Sequence, residues 1–174
     1  MANLRDSNIF QDFTVWLRDV GKIGESPGFQ PPEINIATEE YRGGGMDGTV
    51  EIPHGIEKIE FSFDLHTWDS QVWSELGYGP GSLDVPITFR GYLLTPGGSE
   101  GSVIIETSAL IKSIKTDAVE PGKMVKMSIT CVANKYKQEI NGNAVIDIDV
   151  FGKKTYLGGR DRSDYARSVL GFTY

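Results

Sequence analysis

The sequence predicts a mainly β, antiparallel domain with two short helices, and three observations carry that prediction. Apolar residues recur at every second position over long runs, the period of a strand with one buried face. Turn-forming residues punctuate those runs at hairpin spacing. Only two stretches shift to helical spacing, and both are short. The chain has 174 residues, 39% hydrophobic and 24% charged, which suits a single domain (residues 1–174) with a core of its own.

The elements follow in order. From Glu57 to His66, Ile59, Phe61, Phe63 and Leu65 take one face while Glu60, Ser62, Asp64 and His66 take the other. Ser70 to Leu76 places Val72, Trp73 and Leu76 on one side of a helix, with Gly77 as the left-handed residue that ends it. Val85, Ile87 and Phe89 alternate with Thr88, Arg90 and Tyr92 in the next strand. Pro96-Gly97-Gly98 then turns the chain into a strand over Val103–Ile114, and Glu120-Pro121-Gly122 turns it again. From Lys123 to Tyr136, Val125, Met127, Ile129, Cys131 and Ala133 share a face, opposite Lys126, Ser128, Thr130, Val132 and Asn134. Asn141-Gly142 marks a type I′ hairpin turn before the strand Ala144–Val150, because both positions of that turn need positive φ. A second helix spans Asp161 to Leu170, with Asp161 as N-cap, Tyr165/Val169 and Ala166/Leu170 at i, i+4, and Gly171 at its end.

Composition excludes several function classes. Seventeen basic against 24 acidic side chains leave a net charge of −7, so the chain has no electrostatic footprint for gripping phosphates. No apolar run approaches the roughly 20 residues that cross a bilayer, and Met1-Ala2-Asn3-Leu4-Arg5-Asp6 opens without the apolar block of a signal peptide. The lone Cys131 forms no internal disulfide and reads as a small core side chain. His54 and His66 have no metal-ligand spacing around them. Gly152-Lys153-Lys154-Thr155 lacks the order of a phosphate loop, and Gly43-Gly44-Gly45 lacks dinucleotide-binding spacing. Asp147 and Asp149 share a strand face simply by alternation. The expectation is a protein that is not an enzyme and carries no cofactor and no metal.

One stretch is not explained by strand alternation. Glu39-Glu40-Tyr41-Arg42-Gly43-Gly44-Gly45-Met46-Asp47-Gly48 holds four glycines in six residues, at a large entropic cost on folding. It reads either as a flexible loop or as backbone that bends tightly or meets another chain closely. Tyr41, Arg42 and Met46 are side chains of the interface type.

That stretch resembles the signature of the major tail tube proteins of contractile-tailed bacteriophages. Two further blocks support the resemblance in the same order. Tyr136-Lys137-Gln138-Glu139-Ile140-Asn141-Gly142-Asn143-Ala144-Val145-Ile146-Asp147-Ile148-Asp149 is similar to that family's NG-turn segment, and Tyr165-Ala166-Arg167-Ser168-Val169-Leu170-Gly171 to its closing helix. The resemblance implies an antiparallel β-sandwich or barrel-like subunit, six copies of which make a ring around a continuous inner β-barrel. Stacked hexameric rings then form the inner tube of a virion tail, which delivers DNA into the host. Partners implied are further copies of the chain, a tail sheath, baseplate or tube-initiator proteins, a tail terminator, and DNA passing without sequence-specific binding. Assembly is expected in the host bacterial cytoplasm.

On this reading residues 39–52 form a Gly-rich inter-subunit loop, with Tyr41, Arg42, Gly43, Gly44, Gly45 and Met46 in contact. Residues 1–12 form a flexible N-terminal segment. Lumen-lining candidates are Glu60, Asp64, Ser128 and Thr130, since an acidic bore repels DNA from its walls. The rival reading is a soluble β-sandwich that binds carbohydrate or another ligand. It needs a row of aromatics on one sheet face, and Trp68, Trp73, Tyr78 and Tyr92 do not fall on one strand.

Overall fold

The structure, a computed structural model, describes residues 7–172. Its elements in chain order are Ile9–Leu17 (β1), Val20–Gly21 (β2), Gly28–Gln30 (β3), Ile36–Tyr41 (β4), Val50–Ile56 (β5), Ile59–Leu65 (β6), Ser70–Ser74 (α1), Val85–Leu94 (β7), Glu100–Thr116 (β8), Met127–Ile140 (β9), Asn143–Asp149 (β10), Lys154–Leu157 (β11), Arg160–Asp161 (β12) and Asp164–Leu170 (α2). Alternation places β6 and β7 to within two residues of their expected ends. β8 runs past its apolar pattern at both ends, to 17 residues, and β9 begins and ends four residues later than its pattern, the polar residues at the added ends still pairing across the ladder.

Ten strands form one sheet with hydrogen-bonded order β12-β11-β10-β9-β8-β7-β1-β2. The first half of β9 takes β6 on its free side, from Ile59↔Ala133 to Leu65↔Met127, and β6 in turn takes β3. The second half takes β10 instead, so β9 is the strand at which the sheet branches. A bulge makes the exchange. Ser108 faces Lys135 and Ala109 faces Ala133, leaving Asn134 as the extra residue. The parity of β9 flips there: Met127, Ile129, Cys131 and Ala133 are buried before it and Tyr136 after it.

The sheet also curls. β3 lies four ladder steps from β7, about 19 Å across a flat sheet. Yet the Phe29 and Phe89 rings stack with centroids 4.2 Å apart. The two arms therefore meet through side chains, enclosing Phe61, Phe63, Ile87, Ile105, Ile111 and Ile129 among the buried residues. They do not meet through backbone. The expectation of a barrel-like fold is corrected here: the hydrogen-bonded path ends at β2 and β12, β3 ends its branch, and among the described residues no sheet closes into a barrel. Side-chain alternation shows which face is buried, but closure depends on how far the twisted strands curl.

Two helix details also differ from the sequence reading. Gly77 is not left-handed; Glu75 is the C-cap of α1, and Gly77 lies where its N–H donates to Ile111 O at 3.0 Å. The N-cap of α2 is Ser163, not Asp161. The turn chemistry follows the sequence closely: Asn141 and Gly142 both have positive φ, 51° and 76°, and Gly171 ends α2 at φ 77°.

Candidate functional site

Strands β4 and β5 make a two-stranded sheet separate from the main one. Thr38, Tyr41, Val50 and Ile52 favour strands, and Glu57 N–H donates to Asn35 O at 3.0 Å to tie the base. Ile36, Tyr41, Val50 and Ile52 nonetheless stay 46% to 55% exposed, unusual for apolar side chains of a hairpin that is marginal by itself. Register places Glu40 directly opposite Glu51, a like-charge pair that weakens the hairpin. Thr38 Oγ1 donates to one Glu51 oxygen at 3.1 Å.

The glycine stretch closes this hairpin as a structured turn. Arg42 Nε donates to Met46 O at 3.2 Å, Met46 N–H to Gly43 O at 3.3 Å, and Gly43 N–H to Met46 Sδ at 3.1 Å. Gly45 has φ 82°, a conformation most side chains resist. Tyr41, Arg42, Gly43, Gly44, Gly45 and Met46 are thus brought together at one exposed tip. Strand β1 already begins at Ile9, inside the segment read as flexible, while residues 1–6 lie outside the described residues.

Glu60, Asp64, Ser128 and Thr130 share the outer face of β6 and β9, with Asp64 opposite Ser128 and Ser62 opposite Thr130. Ser128 Oγ donates to Asp64 at 2.6 Å, and Lys126 Nζ lies 3.1 Å from the other Asp64 oxygen. Glu60 is held by Lys58 at 2.7 Å and Lys112 at 3.2 Å. Hydrogen bonds from Lys58, then Lys112, keep its carboxyl below the usual range. The face is polar, and its two carboxylates are paired with three lysines rather than left acidic.

The sequence reading missed a charge ladder beside it. Glu106, Lys137 and Asp147 face one another across β8, β9 and β10, as do Lys135, Asp149 and Lys154 across β9, β10 and β11. Lys137 pairs with Glu139 at 2.7 Å, Lys135 with Asp149 at 3.1 Å, and Lys154 with Asp147. Alternating charges along each strand were the visible signal; the register that matches them was not. Asp147 and Asp149 are each engaged by a lysine in this ladder.

Reactive groups are subdued. Burial pushes the Cys131 thiol up to about 12 and the Tyr136 hydroxyl up to about 12. His66 is exposed, with Nδ1 3.1 Å from Val125 O. No group of three or more His, Cys, Asp or Glu among the described residues is placed to hold a metal. Trp68 precedes α1, Trp73 lies in it, Tyr78 follows it and Tyr92 lies on β7, so no aromatic row forms.

Comparison with known proteins follows this geometry. The family model described as phage tail tube protein FII matches residues 7–171. The "Tail tube protein" of Escherichia phage P2 is 26% identical over 161 residues, covering 90% of this chain and 93% of that protein. The chain shares its fold with the sheath/tube terminator of an extracellular contractile injection system (PVC) in the extended state: TM-score 0.55, 17% identity, 73% of this chain and 92% of that one. The tube-terminating cap of the anti-feeding prophage is similar at TM-score 0.55 and 17% identity, covering 73% and 87%. So is a chain of the PVC sheath–tube complex, at TM-score 0.53 and 16% identity, over the same shares.

Proposed function

The chain belongs to the phage tail tube protein FII family, and we propose on that footing that six copies make a ring and that rings stack into the inner tube of a contractile tail. The role is structural, that of a tube-forming subunit of the tail, and not catalytic. The observation that carries the self-assembly reading is the β4–β5 hairpin: four apolar side chains and a facing glutamate pair stand off the main sheet, which favours contact with a neighbouring copy. Residues 39–52 are that contact segment, with Tyr41, Arg42, Gly43, Gly44, Gly45 and Met46 at its tip.

Glu60, Asp64, Ser128 and Thr130 face the bore in this reading. Lys58, Lys112 and Lys126 are each held by a carboxylate. Pairing with these carboxylates weakens their grip on phosphate, so DNA passes along the wall without being held. A tail sheath outside, a baseplate or tube initiator below and a terminator above complete the assembly, in keeping with the sheath–tube and terminator structures that share this fold. Assembly takes place in the cytoplasm of the infected bacterium.

The test is antibody labelling of intact particles, together with electron microscopy of the purified chain. Label along the tail and hollow rods of stacked rings are expected. Label on the capsid alone, or solid aggregates without a bore, would overturn the reading. Deleting Gly43–Gly45 is expected to leave the monomer folded by circular dichroism while rods disappear; normal rods from that variant would remove the tip from the contact.

A further inference from the structure

The hairpin needs a seat, and the C-terminal corner has the complementary chemistry. Although the chain is net −7, residues 150–172 hold five basic against two acidic side chains. Arg167 is spent within the corner on Asp161 and Asp164, and Lys154 on Asp147. Lys153, Arg160 and Arg162 are exposed and make no ion pair among the described residues. Around them Val150, Phe151, Tyr165, Val169 and Leu170 are 56% to 83% exposed, and α2 buries no residue at all. Ala166 and Arg167 face the rest of the corner, while the apolar side chains of α2 stand outward uncovered.

The hairpin is the mirror of this surface in charge. Residues 36–56 hold four acidic side chains against one basic, and Glu39, Glu40 and Asp47 are exposed with no ion pair among the described residues. Cations brought against Glu40 and Glu51 would relieve their repulsion, and apolar side chains flank the charges on both surfaces. We propose that the basic, apolar corner formed by β11, β12 and α2 is the seat on which the acidic β4–β5 hairpin of a second copy of this chain docks. This rests on the self-assembly reading above and adds the receptor for its contact segment.

A charge swap in the full-length chain tests it. Glu39→Lys/Glu40→Lys and Arg160→Glu/Arg162→Glu are each expected to lower the assembled fraction, read by sedimentation velocity at fixed concentration, by about tenfold or more. All four changes in one chain are expected to restore it to within about threefold of the natural protein, since the attraction is re-formed with reversed sign. Circular dichroism confirms that each variant is folded. Independently, Glu40→Cys with Arg162→Cys is expected to form a disulfide between chains in the assembled sample. A combined variant no better than its worse parent, a corner reversal that leaves assembly intact, or the absence of that disulfide would overturn the docking while leaving the tube role standing. A natural chain that stays monomeric at every concentration would instead overturn the self-assembly reading itself.

Discussion

Lys22 and Asp69 form an ion pair in which both side chains are little exposed, 6% and 12%. Lys22 is only 6% exposed, and its ammonium meets Asp69 and the Gln71 side-chain oxygen, pinning the turn after β2 to the start of α1. Replacing Lys22 by Met is expected to cost about 2–3 kcal/mol, because Asp69 is left half-buried without its counter-charge. Chemical denaturation reads this, and Lys22→Met with Asp69→Asn should recover part of the loss. Gly77 is a second control point, invisible to turn rules because its φ is ordinary. A Cβ there would collide with Leu110 and sit 2.9 Å from the Ile111 carbonyl oxygen. Leu110 can turn aside but the backbone cannot, so Gly77→Ala is expected to cost about 1–3 kcal/mol in the same measurement.

At the scale of elements, the bulge at Asn134 decides the architecture. It lets one 14-residue strand serve β6 with its first half and β10 with its second while both halves keep apolar residues inward. Asn134 is also bonded in place: its side chain donates to Leu83 O at 2.8 Å, and Val150 N–H donates to its carbonyl at 2.9 Å. Deleting Asn134 would remove the bulge and leave Ala133, Lys135 and Tyr136 alternating on the faces they already occupy, opposite Ala109, Ser108 and Thr107. That variant is expected to keep cooperative thermal unfolding at a lowered midpoint, having lost the bonds to Leu83 O and from Val150 N–H. Asn134→Ala, which keeps the count, should cost only about 1 kcal/mol.

For the whole molecule, acid is the expected weakness. Burial alone would raise the Asp69 carboxyl, but the hydrogen bond from Lys22 and the Gln71 N–H outweigh it and hold it below its ordinary 3.8. Asp149 behaves alike: burial raises it, while the Gly152 N–H and Lys135 bring it below 3.8. Glu75 is held below 4.5, chiefly by the hydrogen bond from Arg18. Each group binds fewer protons folded than unfolded, so its stabilisation is fully present above the ordinary value and lost as pH falls through the depressed one. Unfolding free energy should be flat from neutral pH down to about 5 and fall steeply below about 4. Asp69→Asn should make the acid arm shallower, and an unchanged arm would remove Asp69 from that account.

Much of the molecule was legible because a strand's side-chain period is local. The buried face of β6, the Asn141-Gly142 turn and the left-handed Gly171 all follow from neighbours a few residues apart. The exposed tip at Tyr41–Met46 was also marked, by a glycine density that no strand requires. What the sequence determined by itself was the run of ribbons from β6 to β10, the turns between β7 and β10, and the family they belong to, while β1 and the β4–β5 hairpin went unread. Tertiary structure alone decided that the sheet branches at β9 and stays open, that Glu40 meets Glu51, and that lysines neutralise Glu60 and Asp64. Those outcomes depend on register and curl between strands far apart in sequence, where a shift of one residue changes every partner.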